Sequence, residues 1–278
     1  MRIIVTGASG FLGQAVLCCL HAQGANAVGV ARRAAPGCVT VHRYQDSPAG
    51  DVLVHLAEDS DMQRVAAAGA AYAQQAAALL DALLAKDYSH TVYASSAVLY
   101  GDGSQHPRHT EEPVVLHGHY ARIKHAGEQA VRTARNGLSV RLANLYGPGM
   151  SRSNVLSAIL GQIPGQGPLR VRDTRPVRDF LWVVDAAGAL ATMAQRGDSA
   201  GVFNVGSGQG VSVGELAHAA LAVAGQASRP VESATPPPPV DAPPSTLVLD
   251  TSATSALFGW RPATPLAEGL RRLLNHTT

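Results

Sequence analysis

Residues 117–131 read HGHYARIKHAGEQAV, and two of them, Tyr120 and Lys124, stand four apart in a helical pattern. Residues at i and i+4 share one face of a helix, so a phenol and an ammonium come within reach of each other. Such a pair can move protons. A free tyrosine ionises near pH ~10, and a neighbouring positive charge favours the phenolate. Two solvated side chains on an exposed face would show the same spacing, and the spacing alone does not choose.

A second group points to phosphate. VTGASGFLG, residues 5–13, sets Gly7, Gly10 and Gly13 between a β-branched run and a helical one. In that context Gly7 permits a tight turn, Gly10 lets the backbone approach a pyrophosphate, and Gly13 lets helix and strand pack closely. The helix N-terminus offers free N–H groups and the positive end of its dipole. The reading is a dinucleotide site. At the end of the second strand, VGVARRAAPG has no acidic residue at 31–35 to hold the ribose hydroxyls of NAD. Arg32 and Arg33 stand there, and a guanidinium can fork onto the 2′-phosphate of NADP. They can equally be surface arginines, or stack on adenine in an NAD site; the balance favours NADP over NAD.

The elements that must position these groups alternate in kind. RIIVTG, NAVGVA, CVTVHRY, DVLVHLA (51–57), HTVYASS (90–96) and LSVRLANLYGPG read as strands. Between them lie helical patterns: FLGQAVLCCLHAQG with a stop at Gly24, an Ala-rich run at 65–85, and 119–135. Alternation of this sort gives an α/β fold with a Rossmann-type doubly wound parallel sheet. Residues 1–150 are expected to form it, with the chain returning over about 178–206. From 151 to 278 the rhythm loosens into mixed insertions, a smaller C-terminal α/β substrate-binding lobe. There SVGELAHAALAVAG carries Ser212 and Glu215 in capping-box spacing. SATPPPPVDAPPS is a proline-rich loop, and two short helices close the chain.

Composition narrows the function classes. The chain has 278 residues, 46% hydrophobic and 15% charged, enough for a large core. A net charge of +2, with no Lys or Arg block, gives no footprint for nucleic acid. Cys18, Cys19 and Cys38 have no metal-ligand spacing and read as reduced, structural thiols, the first two buried in an apolar helix. MRIIVTG runs straight into a strand without a secretory leader, which implies a cytoplasmic protein. The run at 65–85 includes Gln74, Gln75 and Asp81 and is a poor membrane span. A helix of small apolar residues suits a place between other helices, such as a subunit interface.

In order and spacing, TGASGFLG, VLVHLA, YASSAVLYG, the Tyr120–Lys124 pair with HAGE, RLANLYGPG, RDFLWVVD, FNVGSG and DTSATSALFGW run nearly the length of the chain. Together they resemble the extended short-chain dehydrogenases/reductases, in the nucleotide-sugar epimerase/dehydratase branch. The resemblance implies a catalytic triad of Ser96, Tyr120 and Lys124. Ser96 would hydrogen-bond the reacting oxygen, Tyr120 would exchange its proton, and Lys124 would also hold the nicotinamide ribose. It implies Gly7, Gly10, Phe11, Leu12, Gly13, Leu56 and Ala57 on the cofactor, Ser95 as a packing or cofactor-side neighbour, and Asn144, Arg178 and Arg175 toward the substrate. For Arg178, an ion pair with Asp179 is the alternative. A homodimer built on the Ala-rich helix and the Tyr–Lys helix is also implied.

Three departures from the family pattern bear on the reaction. The loop PPPPVDAPPSTLVLD lacks the second diphosphate-binding arginine of many relatives. Either Arg175 or Arg229 substitutes, or the leaving end is not a nucleotide diphosphate. Ala97 and Val98 follow Ser96 where dehydratases carry Asp and Glu, which argues against dehydration by that route. RDTRPVRDF adds Arg172 and Arg175 to Arg178, a solvated hairpin or an anion clamp. The expected activity is therefore an NAD(P)-dependent oxidoreductase on a nucleotide-activated sugar, favoured as a reductase of a 4-keto (6-deoxy) sugar nucleotide. The alternative is an NAD-dependent 4-epimerase; a non-catalytic dinucleotide sensor fits less well, because such proteins tend to lose the Tyr and Lys.

Overall fold

The computed structural model describes residues 1–234 and 245–275, so most of the proline-rich stretch lies outside the described residues. The chain begins with β1 (Arg2–Thr6), α1 (Phe11–Ala22), β2 (Asn26–Ala31), β3 (Cys38–Thr40), β4 (Val52–His55) and α2 (Met62–Leu84). It continues with β5 (His90–Ser96), α3 (Gly118–Thr133), β6 (Gly137–Leu142), β7 (Asn144–Tyr146), α4 (Val155–Leu160), β8 (Leu169–Val171) and β9 (Val177–Trp182). It ends with α5 (Val183–Arg196), β10 (Gly201–Val205), β11 (Gly210–Ser212), α6 (Val213–Val223), β12 (Val231–Ser233), β13 (Thr246–Leu247), α7 (Ser252–Phe258) and α8 (Leu266–Asn275).

Seven strands form one sheet in the order β10-β6-β5-β4-β1-β2-β3, and every pair is parallel. This is the doubly wound sheet that the alternation of elements predicts. The strand order reverses between β1 and β4, and such a switch point opens a crevice at the carboxyl ends of the strands. Ile3, Val5, Val52, Val54, Val92 and Val140 face α1 and α5 on one side. These runs of β-branched residues are buried on both faces, as strands inside a parallel sheet must be. Helices α2 and α3 cover the other side.

A second core gathers Leu156, Phe180, Trp182, Leu216, Leu270 and neighbours. Here β9 pairs with β7, β11 and β13, while α5 and β10 return to the large sheet. LSVRLANLYGPG is thus two strands in two sheets. The chain leaves the large sheet at Ala143, whose N–H donates to Val205, and β7 turns to β9.

Local signals hold where chemistry enforces them. Ser212 Oγ accepts from the Glu215 N–H and Glu215 returns the bond, a complete capping box. The expected 65–85 helix starts earlier, because Asp61 caps it by accepting from Gln63 and Arg64 N–H. It is interrupted at Gly69, where φ +59 and ψ −140 leave the helical region. CVTVHRY shortens to three residues at the sheet edge. The thiols are free as expected, but Cys18 is exposed and Cys19 only partly buried, because the buried stripe of α1 runs through Val16, Leu17 and Leu20. No described helix is long and apolar enough to cross a membrane.

Candidate active site

A cleft of about 610 Å³ opens at the switch point. Its floor is the turn after β1. Gly7 has φ +72, and a Cβ there would meet the Leu56 carbonyl oxygen at 2.5 Å; a Cβ at Gly13 would overlap the Gly7 carbonyl. Gly10 closes the turn by donating to the Gly7 carbonyl at 2.9 Å. No side chain caps α1, so the N–H groups of its first turn remain available to an anion. Gly7, Gly10, Phe11, Leu12, Gly13 and Leu56 all line the cleft, a cradle shaped for a pyrophosphate. Ala57 instead borders the core cluster around Ile4 and Val30. Arg32 and Arg33 are exposed at the end of β2, outside the lining, with the Arg32 guanidinium 5.5 Å from the Tyr44 ring centroid.

The far wall carries Ser96 from β5 and Tyr120 and Lys124 from α3. Ser96 Oγ accepts from the Val98 N–H at 3.3 Å, which leaves its hydroxyl proton free to point elsewhere. Ser95 looks the other way, donating to Glu128 Oε1 at 2.5 Å. Glu128 in turn makes a buried bidentate pair with Arg141 of β6, at 2.9 and 2.8 Å. The network pins α3 to the sheet directly behind the two serines. Tyr120 is partly buried, and Lys124 Nζ lies 5.7 Å from its ring centroid. The i,i+4 pair is therefore inside a cleft and not on a solvated face.

Lys124 is almost fully enclosed. Its Nζ donates to the Ala94 carbonyl at 2.7 Å and meets Glu58 Oε2 at 2.9 Å. Burial works to lower the pKa of this ammonium, but Glu58 and then Tyr120 outweigh it and the net direction is upward. Glu58 was not among the sequence-derived site residues. The signal for it was an acid just beyond the buried run VLVHLA, at the carboxyl end of a strand beside the switch point, where side chains face the crevice.

Asn144 and Arg178 also line the cleft, as do Ala97, Val98 and Asp102. Arg178 donates to Ser245 through both its carbonyl and its Oγ, and reaches Asp102 at 3.4 Å. Its sequence neighbour Asp179 is buried and accepts from Ser207 and Gly208 instead, so the alternative of an Arg178–Asp179 pair is not formed. The cleft does not gather the other arginines. Arg175 is held bidentate by Asp173, at 3.1 and 2.7 Å. Arg229 is committed to the carbonyls of Gln162 and Gly167, tying two loops of the second core together. Among the described residues no group of acidic, His or Cys side chains could hold a metal ion.

Comparison with known proteins places the chain among nucleotide-sugar enzymes of similar fold. The sequence profile of the NAD dependent epimerase/dehydratase family matches residues 3–206. A UDP-glucose 4-epimerase of Mycolicibacterium smegmatis is 26% identical over 313 aligned positions, covering 98% of this chain and 97% of that protein. A dTDP-6-deoxy-L-talose 4-dehydrogenase (NAD(P)(+)) of Kitasatospora kifunensis is 26% identical, covering 98% and 94%. The solved structure of RMD from Pseudomonas aeruginosa complexed with NADPH superposes with a TM-score of 0.83 at 25% identity, covering 99% of this chain and 97% of that one.

Proposed function

The chain belongs to the NAD dependent epimerase/dehydratase family of extended short-chain dehydrogenases/reductases, and from that membership we propose a reductase of a 4-keto (6-deoxy) sugar nucleotide that uses NADPH. The observation that carries the nicotinamide-dependent class is the meeting, in one cleft, of the phosphate turn with Ser96, Tyr120 and Lys124; the choice of reductase within it rests on Arg32 and Arg33. The nicotinamide dinucleotide, when bound, supplies or removes a hydride at the sugar carbon. Gly7, Gly10 and Gly13 would hold its pyrophosphate, and the Lys124 N–H not taken by Glu58 or Ala94 would reach its ribose.

The chain's own residues handle the proton. Tyr120 gives a proton to the ketone oxygen as the alcohol forms, or takes it back in the reverse direction. The Ser96 hydroxyl, its oxygen already anchored on Val98, donates to the same oxygen and fixes it. Asn144 and Arg178, which also line the cleft, would contact the sugar and its diphosphate. Ala97 and Val98 offer no proton to an elimination. The preference for NADP rests on Arg32 and Arg33, exposed where an NAD enzyme places a carboxylate.

A second reading, an NAD-dependent 4-epimerase, uses the same triad and is favoured by the nearly full-length similarity to the UDP-glucose 4-epimerase. Calorimetric titration with NADPH and NADH, repeated on Arg32→Ala and Arg33→Ala, separates the two. NADPH preference that vanishes with the arginines supports the reductase; NADH preference, or NAD that co-purifies, supports the epimerase. The assembly we propose is a homodimer. An apolar groove between α2 and α3, lined by Ala73, Ala76, Ala77, Ile123, Ala126 and Ala130, suits close packing against a second copy.

A further inference from the structure

Glu58 is a charged cleft residue to which the proposed mechanism gives no role. It stands three residues beyond the end of β4, its side chain only 5% exposed, and it lines the cleft beside Lys124. Its close polar contacts hold the carboxylate in place. Oε2 meets Lys124 Nζ at 2.9 Å, and the Tyr93 hydroxyl donates to Oε2 at 2.9 Å and to Oε1 at 3.1 Å. Tyr93 itself is fully buried in β5, with its ring centroid 5.2 Å from Nζ. Nζ is thus boxed by a carboxylate, a carbonyl and a ring face.

We propose that Glu58 is a built-in counter-ion of the Tyr120–Lys124 pair, a positioning residue that locks the ammonium and cancels its charge, so that Tyr120 rests protonated and ready to donate. The argument is one of charge. A lysine alone beside the phenol gives a cluster of +1 that falls to 0 when Tyr120 ionises, which favours the phenolate. With Glu58 in place the cluster begins at 0 and falls to −1 in a buried site, which favours the phenol. A resting phenol suits an enzyme that protonates a ketone oxygen; one that first takes a proton from an alcohol needs the phenolate.

The other groups that face the pair do not alter this sum, and Asp81 and Arg122, which line the α2–α3 groove together with Glu58, carry opposite charges. His55, from β4, lies 3.8 Å from Glu58 Oε1, and burial pushes it down to about 4 despite the carboxylate, so it is neutral at physiological pH. Burial pushes the Tyr72 phenol of α2 and the Tyr93 phenol of β5 upward, so both stay neutral. Asp59, from the loop before α2, is taken by Arg64 at 2.9 and 2.7 Å. Glu128 of α3 is neutralised by Arg141.

The deprotonation of Tyr120 is readable without substrate or cofactor. The tyrosinate absorbance of each chain is titrated against pH, and the curve of its Tyr120→Phe counterpart is subtracted. The expected result is a midpoint in Glu58→Gln at least about one pH unit below that of the unaltered chain, as loss of a buried like charge requires. Because Glu58→Gln leaves a buried ammonium without its partner, a second comparison guards against misfolding. Lys124→Met and the double variant Glu58→Gln/Lys124→Met are titrated together, and the double variant, which orphans no charge, has the lower midpoint. A midpoint unmoved or raised by removing Glu58 in both backgrounds overturns the inference. Only the choice of direction rests on the reductase reading, and the two fail separately. If the midpoint falls as expected but NADPH reduces no 4-keto sugar nucleotide, the counter-ion stands and the reductase falls. If reduction occurs and the midpoint does not move, the reverse holds.

Discussion

Changing Glu128 to Gln tests whether the network behind the active site holds α3 in place. Glu128 and Arg141 are 4% and 5% exposed and share two bonds of 2.8 and 2.9 Å. Burial opposes the Arg141 charge and Glu128 outweighs it in the native chain; without Glu128 the guanidinium still stays protonated, because an arginine does not deprotonate in proteins, so Gln cannot be accommodated by neutralising it. The substitution keeps the shape and leaves a buried positive charge without a counter-charge, which costs about 3–5 kcal/mol. For a chain of this size that corresponds to a fall in Tm of roughly 6–20 °C. Scanning calorimetry of Glu128→Gln, Arg141→Met and Glu128→Leu/Arg141→Met measures it. The double variant removes both charges and should recover most of the loss, since replacing a buried ion pair by apolar groups is often nearly neutral. A fall below about 1 kcal/mol in Glu128→Gln, or a double variant as unstable as the sum of the singles, refutes the reasoning. Ser95, which loses its ionised acceptor, adds a functional consequence: Ser96 beside it loses a rigid neighbour.

Three further outcomes follow from the same geometry. Phe at Tyr120 removes the proposed proton donor and should lower kcat on any accepted sugar nucleotide by about 10²–10⁴-fold; cofactor affinity by calorimetry stays within about threefold, and a variant that keeps full turnover removes Tyr120 from the chemistry. Lys124 titrates above its ordinary 10.5 in the folded chain, since Glu58 and Tyr120 outweigh burial. A raised lysine stabilises the fold fully below its unfolded value and loses that contribution as pH climbs through the folded one. The Tm gap between the native chain and Glu58→Gln/Lys124→Met should therefore hold steady to about pH 10 and close above it; a gap that closes by about pH 9 contradicts the sign. Finally, Ala126→Glu puts a charge into the α2–α3 groove and should turn the proposed dimer into monomers in sedimentation velocity, whereas a native chain already monomeric at micromolar concentration removes the dimer.

Much of this protein is written locally. The glycines at 7 and 13 announce the tight turn after β1 because a Cβ at either would strike the Leu56 or Gly7 backbone, while at Gly10 a Cβ would sit 3.1 Å from the Gly7 carbonyl oxygen, a tight contact. Ser212 and Glu215 announce a helix start, because both partners of a capping box lie three residues apart. Strand and helix alternation announces the parallel sheet, because short continuous β-branched runs buried on both faces and longer stretches of 3.6-residue period are different patterns. Tyr120 and Lys124 are legible as neighbours through that 3.6-residue period. What the sequence left open depends on residues far apart in the chain. Arg178 lies next to Asp179, yet successive residues of a strand point to opposite faces; Asp179 turns to Ser207 and Arg178 to Ser245. Arg175 and Arg229 are cations by type, and only tertiary contacts commit them to Asp173 and to loop carbonyls. Glu58, separated from Lys124 by 66 positions, becomes its partner only when β4 and β5 lie side by side and α3 packs across them. Residue type and short spacing set which chemistry is available, while the charge balance around it depends on contacts that chain folding alone brings together.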